Sequence, residues 1–308
     1  MYIFNNNNQG KLSYIDEVSF ELEKDIQKLC EDNLSIILDL KFIKSEFSIG
    51  SFRIDSLAFD SESSSFVIIE YKRGKNYSVI DQGLTYLSLL LNHKADFILE
   101  YNEENPDHRL RREDIDWSQS RIIFISPSFT TYQKASINFK DLPIELWEIK
   151  QYKNSLISFN QINPANNTTA SIKTIQKDDS EIDNLAKEII TYDEIYHTNN
   201  IPENIIELYE NLKEYILDFG DDINIKYTKL YIAFKVKSNF SSIKLQNKQV
   251  RLWIDIGFNE INDPLGLVRD VSNVGHHGTG HCEVVLSNHS NLEYIIGLIK
   301  QGYKKIHG

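Results

Sequence analysis

Two short stretches set charged side chains at alternate positions: Ser51 to Asp60 (SFRIDSLAFD) and Phe66 to Arg73 (FVIIEYKR). Side chains of an extended strand point to its two faces in turn. Arg53, Asp55, Leu57 and Phe59 therefore share one face, and Phe66, Ile68, Glu70 and Lys72 share another. The polar Ser61-Glu-Ser-Ser between them reads as a turn. A hairpin that pairs Phe59 with Phe66 sets Leu57 against Ile68 and Asp55 against Glu70. Like charges directly opposite each other destabilise a sheet, so this pair calls for a compensating charge, and Mg²⁺ or Mn²⁺ suits such oxygen ligands. Lys72 points at the same spot, where its ammonium would align a water and offset charge developing on a phosphate. The plainer alternative is a structural ion pair on a charged strand face.

The elements that must hold these residues follow from periodicity. Glu17 to Glu31 carries Val18, Leu22, Ile26 and Leu29 at helical spacing, which predicts a first amphipathic helix. Ile80, Leu84, Leu87 and Leu91 predict a second over Ser78 to Phe97. Arg121 to Ser126 is a short apolar run that ends before Pro127, the mark of a buried strand, and a further strand is expected at Ile144 to Tyr152. From Asn163 to about Glu181 the chain turns polar and aperiodic, so a linker is placed at 163–184, between domains at 1–162 and 185–308. In the second domain a helix is expected from Pro202 to Phe219. Strand-like segments follow at Ile223 to Val236 and Gln249 to Phe258, then a Gly- and His-rich loop at Gly275 to His281. A strand at Glu283 to Leu286 and a helix from Leu292 to Ile306 close a small α+β domain.

Composition narrows the classes. The 308 residues, 41% apolar and 25% charged, match ordinary globular proteins with room for two cores. No apolar run approaches the roughly 20 residues that cross a bilayer. The N-terminus lacks the basic and apolar regions of a signal peptide, and two cysteines make no disulfide framework, so a cytoplasmic protein is expected. The net charge of −12 is shared by both halves. That argues against non-specific electrostatic capture of nucleic acid but leaves room for an enzyme that acts on it, since bound cations and local basic patches offset acidic groups.

Arg53-Ile-Asp55, a turn, then Glu70-Tyr-Lys72 resembles the core of the PD-(D/E)XK nucleases, with Ile54 where that motif usually has Pro. The resemblance covers about residues 17 to 150. It implies a restriction-endonuclease-like α/β core, a mixed sheet flanked by helices. It also implies that Asp55, Glu70 and the carbonyl of Tyr71 hold the metal. The preceding helix in such enzymes often adds a Glu; Glu23 is the best match, because it borders Ile26 and Cys30 whereas Glu21 points away. The following helix carries Gln82-x-x-x-Tyr86, similar to the RecB-like subgroup, and side chains one turn apart reach the same groove. Glu-x-Lys alone is a weak signal; the order of helix Glu, Asp strand, Glu-x-Lys strand and Gln-x-x-x-Tyr helix is far more specific.

The resemblance thus implies a Mg²⁺- or Mn²⁺-dependent deoxyribonuclease that serves in defence against foreign DNA. Asp55, Glu70, Lys72, Gln82 and Tyr86 would be its catalytic set. Nucleic acid, DNA before RNA, is the expected partner, with a homodimer left open. Arg53 and the loop residues Arg73, Lys75 and Asn76 are candidate phosphate contacts, with a solvated turn the alternative. Arg109, Arg111 and Arg112 form a second basic cluster, and Tyr77 and Tyr101 are candidate stacking or packing residues. In the second domain, His276, His277, His281 and Cys282 are poor zinc geometry and read better as a loop. Segments around Tyr231 to Lys235, Leu252-Trp253 and Asp270 to His276 resemble an uncharacterised C-terminal domain of predicted restriction-type proteins, sometimes labelled transport-related. Trp253, Lys229, Lys235 and Arg251 are candidates there for a ligand surface. The rivals are a catalytically silent nucleic-acid-binding module and an interaction protein that works through its C-terminal domain.

Overall fold

The computed structural model describes residues 2–6, 10–74, 78–138, 142–163, 190–274 and 278–307. The chain forms two compact units, Met1–Thr191 and Tyr192–Gly308. The greater part of the expected linker lies outside the described residues, as do Lys75, Asn76, Tyr77, His276 and His277.

Unit 1 begins with β1 (Phe4–Asn6) and β2 (Leu12–Tyr14), a separate ribbon, then β3 (Glu17–Val18), α1 (Glu23–Glu31) and α2 (Leu34–Ile37). Next come β4 (Lys41–Ile49), β5 (Phe52–Asp60), β6 (Ser65–Tyr71), α3 (Val79–Asn92) and α4 (Lys94–Glu104). β7 (Arg121–Ser126), α5 (Thr131–Ser136), β8 (Ile144–Tyr152) and β9 (Leu156–Ile162) complete it. The main sheet has seven strands in the order β3-β8-β7-β6-β5-β4, with β9 also on β8. β6, β7 and β8 run parallel and the other pairs antiparallel, so the sheet is mixed and flanked by helices.

Every residue of β6 is buried, as expected of a strand covered on both faces. On one face, Leu57, Phe59, Phe66, Ile68, Ile122 and Phe124 pack with α3 and α4. On the other, Ala58, Val67, Ile69, Ile123 and Ile125 pack with Ile26 and Cys30 of α1. Burying a side chain of that size contributes roughly 1.5–3 kcal/mol. The hairpin register is Phe59 against Phe66 and Leu57 against Ile68, as the turn and alternation require.

Several expectations need correction. The first helix starts at Glu23, because Glu17 and Val18 pair with Tyr152 and Gln151 as an edge strand, a tertiary contact that helical spacing does not reveal. The helix expected over Ser78 to Phe97 is two, broken at His93, whose backbone (φ −116°, ψ 32°) leaves the helical region. β4, β9, α2 and α5 were not anticipated. In β4 a register shift between Phe42 and Lys44 interrupts the alternation that would have announced a strand.

Unit 2 contains α6 (Glu194–Thr198), α7 (Glu203–Leu217), β10 (Asn224–Tyr227), β11 (Ile232–Lys235), β12 (Asn239–Gln246), β13 (Gln249–Ile254), β14 (Arg269–Asp270), β15 (Cys282–Leu286) and α8 (Leu292–His307). Its sheet is antiparallel throughout, in the order β10-β11-β12-β13-β15-β14. Ile232, Phe234, Ile243, Leu252 and Ile254 form a core with Leu208 and Leu212 of α7 and Ile295, Leu298 and Ile299 of α8. The segment expected as one strand at Ile223 to Val236 is two strands around a turn in which Thr228 Oγ1 accepts from the Tyr231 amide. No helix of the described residues is long and apolar enough to cross a membrane.

Candidate active site at the end of the hairpin

The last paired residues of the hairpin are Ser56 and Ile69, and Asp55 and Glu70 come next. The Asp55 carboxylate reaches across the strands, where its Oδ2 accepts from the Tyr71 amide at 3.0 Å. Glu70 is buried, and Lys72 Nζ at 2.6 Å and Gln82 Nε2 at 2.8 Å donate to the same oxygen, Oε1. Oε2 is buried and has no hydrogen-bond partner among the described residues.

α3 supplies the far wall. Its start is fixed by Ser78, whose hydroxyl accepts from the Asp81 amide, a favoured N-cap arrangement. Gln82 and Tyr86, four residues apart, then face the hairpin. Gln82 Nε2 also contacts the Tyr86 hydroxyl at 3.2 Å, and that hydroxyl donates to the Arg53 carbonyl at 3.4 Å. Gly83 lets the helix lie close: a Cβ there would stand 2.4 Å from Cδ1 of Ile144.

Burial, then the nearby charge of Glu70, pushes the Asp55 carboxyl up to about 6. An acid resists ionising where water is scarce and a second carboxylate is near. A buried acceptor without a donor and a reluctant acid beside it are both relieved by a cation, so these two carboxylates fit a divalent ion with oxygen ligands. They are a pair and not a larger cluster: no group of three His, Cys, Asp or Glu side chains among the described residues is disposed to hold a metal.

Glu23 stands apart from that pair. It opens α1, and its Oε2 accepts from the Arg73 amide at 2.8 Å, which ties the helix to the end of β6. Arg53 is exposed and paired with Glu46 at 2.6 Å, and Arg73 is exposed. Tyr101 is buried against Phe59 and Phe66, which makes it a core residue and removes it as a stacking candidate. Arg111 and Arg112 lie in an exposed turn, where Arg111 is 4.0 Å from Glu113. In unit 2, Trp253 is buried, Arg251 pairs with Glu283, and Cys282 is a buried thiol that contacts the Ile256 carbonyl.

A protein of Haemophilus influenzae described as uncharacterised is 47% identical to this chain over 296 residues, spanning 96% of this chain and 97% of its own. The chain belongs to that protein's family. A second match, to a family described as a domain of unknown function (DUF5655), takes in residues 192–305 and so falls within unit 2. Two solved structures, an EndoMS complex with double-stranded DNA and a repair endonuclease from Pyrococcus abyssi, each align with 43% of the chain at 22% identity and a TM-score of 0.25. The chain spans 48% and 50% of their lengths. Overlap of that extent carries no argument about chemistry.

In this member of the family, α1 contributes residues that the motif does not mention. Gln27 is buried and its Nε2 donates to the Asp55 carbonyl at 3.0 Å, to Glu31 Oε1 at 2.9 Å and to Ser45 Oγ at 3.2 Å. Glu31 Oε1 accepts in turn from Ser56 Oγ at 2.5 Å. Glu23, Gln27 and Glu31 recur every four residues and so form one stripe of the helix. Together with Glu46, Arg53 and Asp55 they border a cleft of 760 Å³. The spacing alone was a signal for Gln27 and Glu31; their contact with the Asp55 strand was not legible.

Proposed function

We propose that unit 1 is a divalent-metal-dependent phosphodiester hydrolase acting on DNA, with a restriction-endonuclease-like core, working in the cytoplasm against foreign DNA. The observation that carries this reading is the meeting of Asp55 and Glu70 at the end of one hairpin, with one carboxylate oxygen left without a donor and Lys72 and Gln82 gathered on the other. Asp55, Glu70 and the Tyr71 carbonyl would hold Mg²⁺ or Mn²⁺. Such an ion, when bound, polarises a phosphate and makes a bound water acidic near neutral pH.

The chain's own residues do the rest. Gln82 and Tyr86 fix Glu70 and line the approach for substrate. Lys72, held on Glu70, carries a positive charge to the place where charge grows on the phosphate, and preorganised charge of this kind is worth most in a site poor in water. Arg53 and Arg73 lie exposed beside the pair and would meet phosphates of the flanking backbone.

Incubation of the purified protein with plasmid, single-stranded DNA and RNA, each with Mg²⁺, Mn²⁺ or chelator, tests the reading. Cleavage of DNA that requires the metal is expected. DNA left intact under all metal conditions would favour a binding module on the same fold.

A further inference from the structure

We propose that Gln27, on the helix before the hairpin, is a positioning residue for Asp55: its buried amide holds the Asp55 backbone so that the carboxylate stays against Glu70, where a divalent ion needs it. It rests on the reading above for the ion alone; the grip on Asp55 can be measured without metal.

The two flanking strands leave Asp55 unpaired. β5 pairs with β6 from Asp60 to Ser56, which faces Ile69. On the β4 side Ser45 pairs with Ser56 and Phe47 with Ile54, and neither register gives Asp55 a partner. Glu46, the β4 residue between those pairs, has φ 53°, a conformation rare outside glycine. Its carboxylate meets Arg53 at 2.6 Å. A backbone carbonyl passed over by both ladders still needs a donor, and α1 supplies one.

Gln27 Nε2 lies 3.0 Å from the Asp55 carbonyl and 2.9 Å from Glu31 Oε1. A carbonyl and a carboxylate only accept, so the nitrogen of the amide must face them, and its two protons match these two nearest acceptors. Burying an amide is costly unless its hydrogen bonds are made, and Gln27 is 8% exposed. Glu31 completes the frame, since the same Oε1 accepts from the Ser56 hydroxyl at 2.5 Å.

Asp55 is therefore gripped at two points: its carbonyl from α1, and its carboxylate by the Tyr71 amide at 3.0 Å. Together they set where its Cα–Cβ bond points. With the first grip gone, the carboxylate is free to swing away from Glu70, as repulsion between two carboxylates favours. A metal site tolerates little such freedom, because hydrogen bonds that hold its ligands carry roughly a factor of 10 to 100 in affinity. Fastening the helix does not require Gln27, since Ile26 and Cys30 beside it are fully buried against the sheet.

The test uses the full chain. Gln27→Met keeps the shape of the side chain and removes the donor. In chelator at pH 8, Asp55→Asn is expected to raise the melting temperature of the wild type by about 4–8 °C. In the Gln27→Met background the same change should raise it by less than half as much, because Asp55 has already moved off Glu70; two independent structural losses would simply add. Mn²⁺ titration followed by electron paramagnetic resonance should show Kd raised on the order of tenfold or more in Gln27→Met. Asn33→Ala removes a hydrogen bond to the Leu29 carbonyl at the far end of α1, and should lower the melting temperature without changing either reading. Should Gln27→Met fail to fold, Gln27→Asn withdraws the amide by one methylene and reads the same two quantities. An additive cycle, or unchanged Mn²⁺ affinity in a folded variant, would overturn the assignment. Coupling without any Mn²⁺ binding by the wild type would leave the grip on Asp55 standing and remove the metal-dependent reading; Mn²⁺ binding and metal-dependent cleavage with an additive cycle would do the reverse.

Discussion

At Asp55 a negative charge is held where burial and Glu70 both oppose it. Its folded pKa of about 6 lies above the unfolded value of 3.8, so the native state binds this proton more tightly. The contribution of this group to the stability of the metal-free protein therefore falls as pH rises from about 4 to about 6, and stays low above. Discounted for partial exposure, the penalty at neutral pH is on the order of 2 kcal/mol. Asp55→Asn should accordingly melt about 4–8 °C above the wild type in chelator at pH 8, and the gap should close towards pH 4. Thermal denaturation followed by circular dichroism checks this; equal midpoints at pH 8 would mean that the two carboxylates do not strain each other. The alternation of Asp55, Glu70 and Lys72, and the four-residue step from Gln82 to Tyr86, were legible in the sequence because strand and helix periods alone decide them. Gln27 was not, since its role depends on a contact with a strand 28 positions away.

At the scale of elements, the hairpin and α3 must keep their distance fixed. Gly83 allows this by admitting Ile144 where a side chain would stand. Gly83→Val should push the helix off the sheet, cost roughly 1–3 kcal/mol in urea unfolding as overpacking does, and slow cleavage more than it weakens DNA binding, because Gln82 and Tyr86 move away from Glu70. A variant with wild-type rate would show that α3 does not position the site. β5, β6, β7 and β8 could be read in advance from alternation or a short apolar run. β12 could not: Asn239, Ser241 and Ser242 are buried polar residues in a central strand, and a polar sequence covered on both faces imitates a loop. β3 was hidden for another reason, since a two-residue strand exists only through its partner.

For the molecule as a whole, net charge was the least faithful guide. A value of −12 argues against a basic footprint, yet it averages over a unit in which residues 223–254 hold seven Lys and Arg and no acid while α7 holds four Glu and one Lys. Length left room for two cores; among the described residues unit 1 has a cluster on each face of its sheet and unit 2 has one of its own. Since each unit buries its own core, limited proteolysis within about residues 163–184, polar and aperiodic in sequence, should release two fragments that stay folded. Loss of secondary structure on cleavage would make the chain one cooperative body.

The most direct test of the central claim is the single-turnover cleavage rate of Lys72→Ala with Mg²⁺ and saturating enzyme, read beside the Kd for the same duplex in chelator. A charge that acts on the developing phosphate predicts a rate lowered on the order of 10²-fold or more with Kd nearly unchanged. A wild-type rate, or rate and affinity lost in equal proportion, would contradict it: the first reduces Lys72 to the surface partner of Glu70, and the second to a simple phosphate contact.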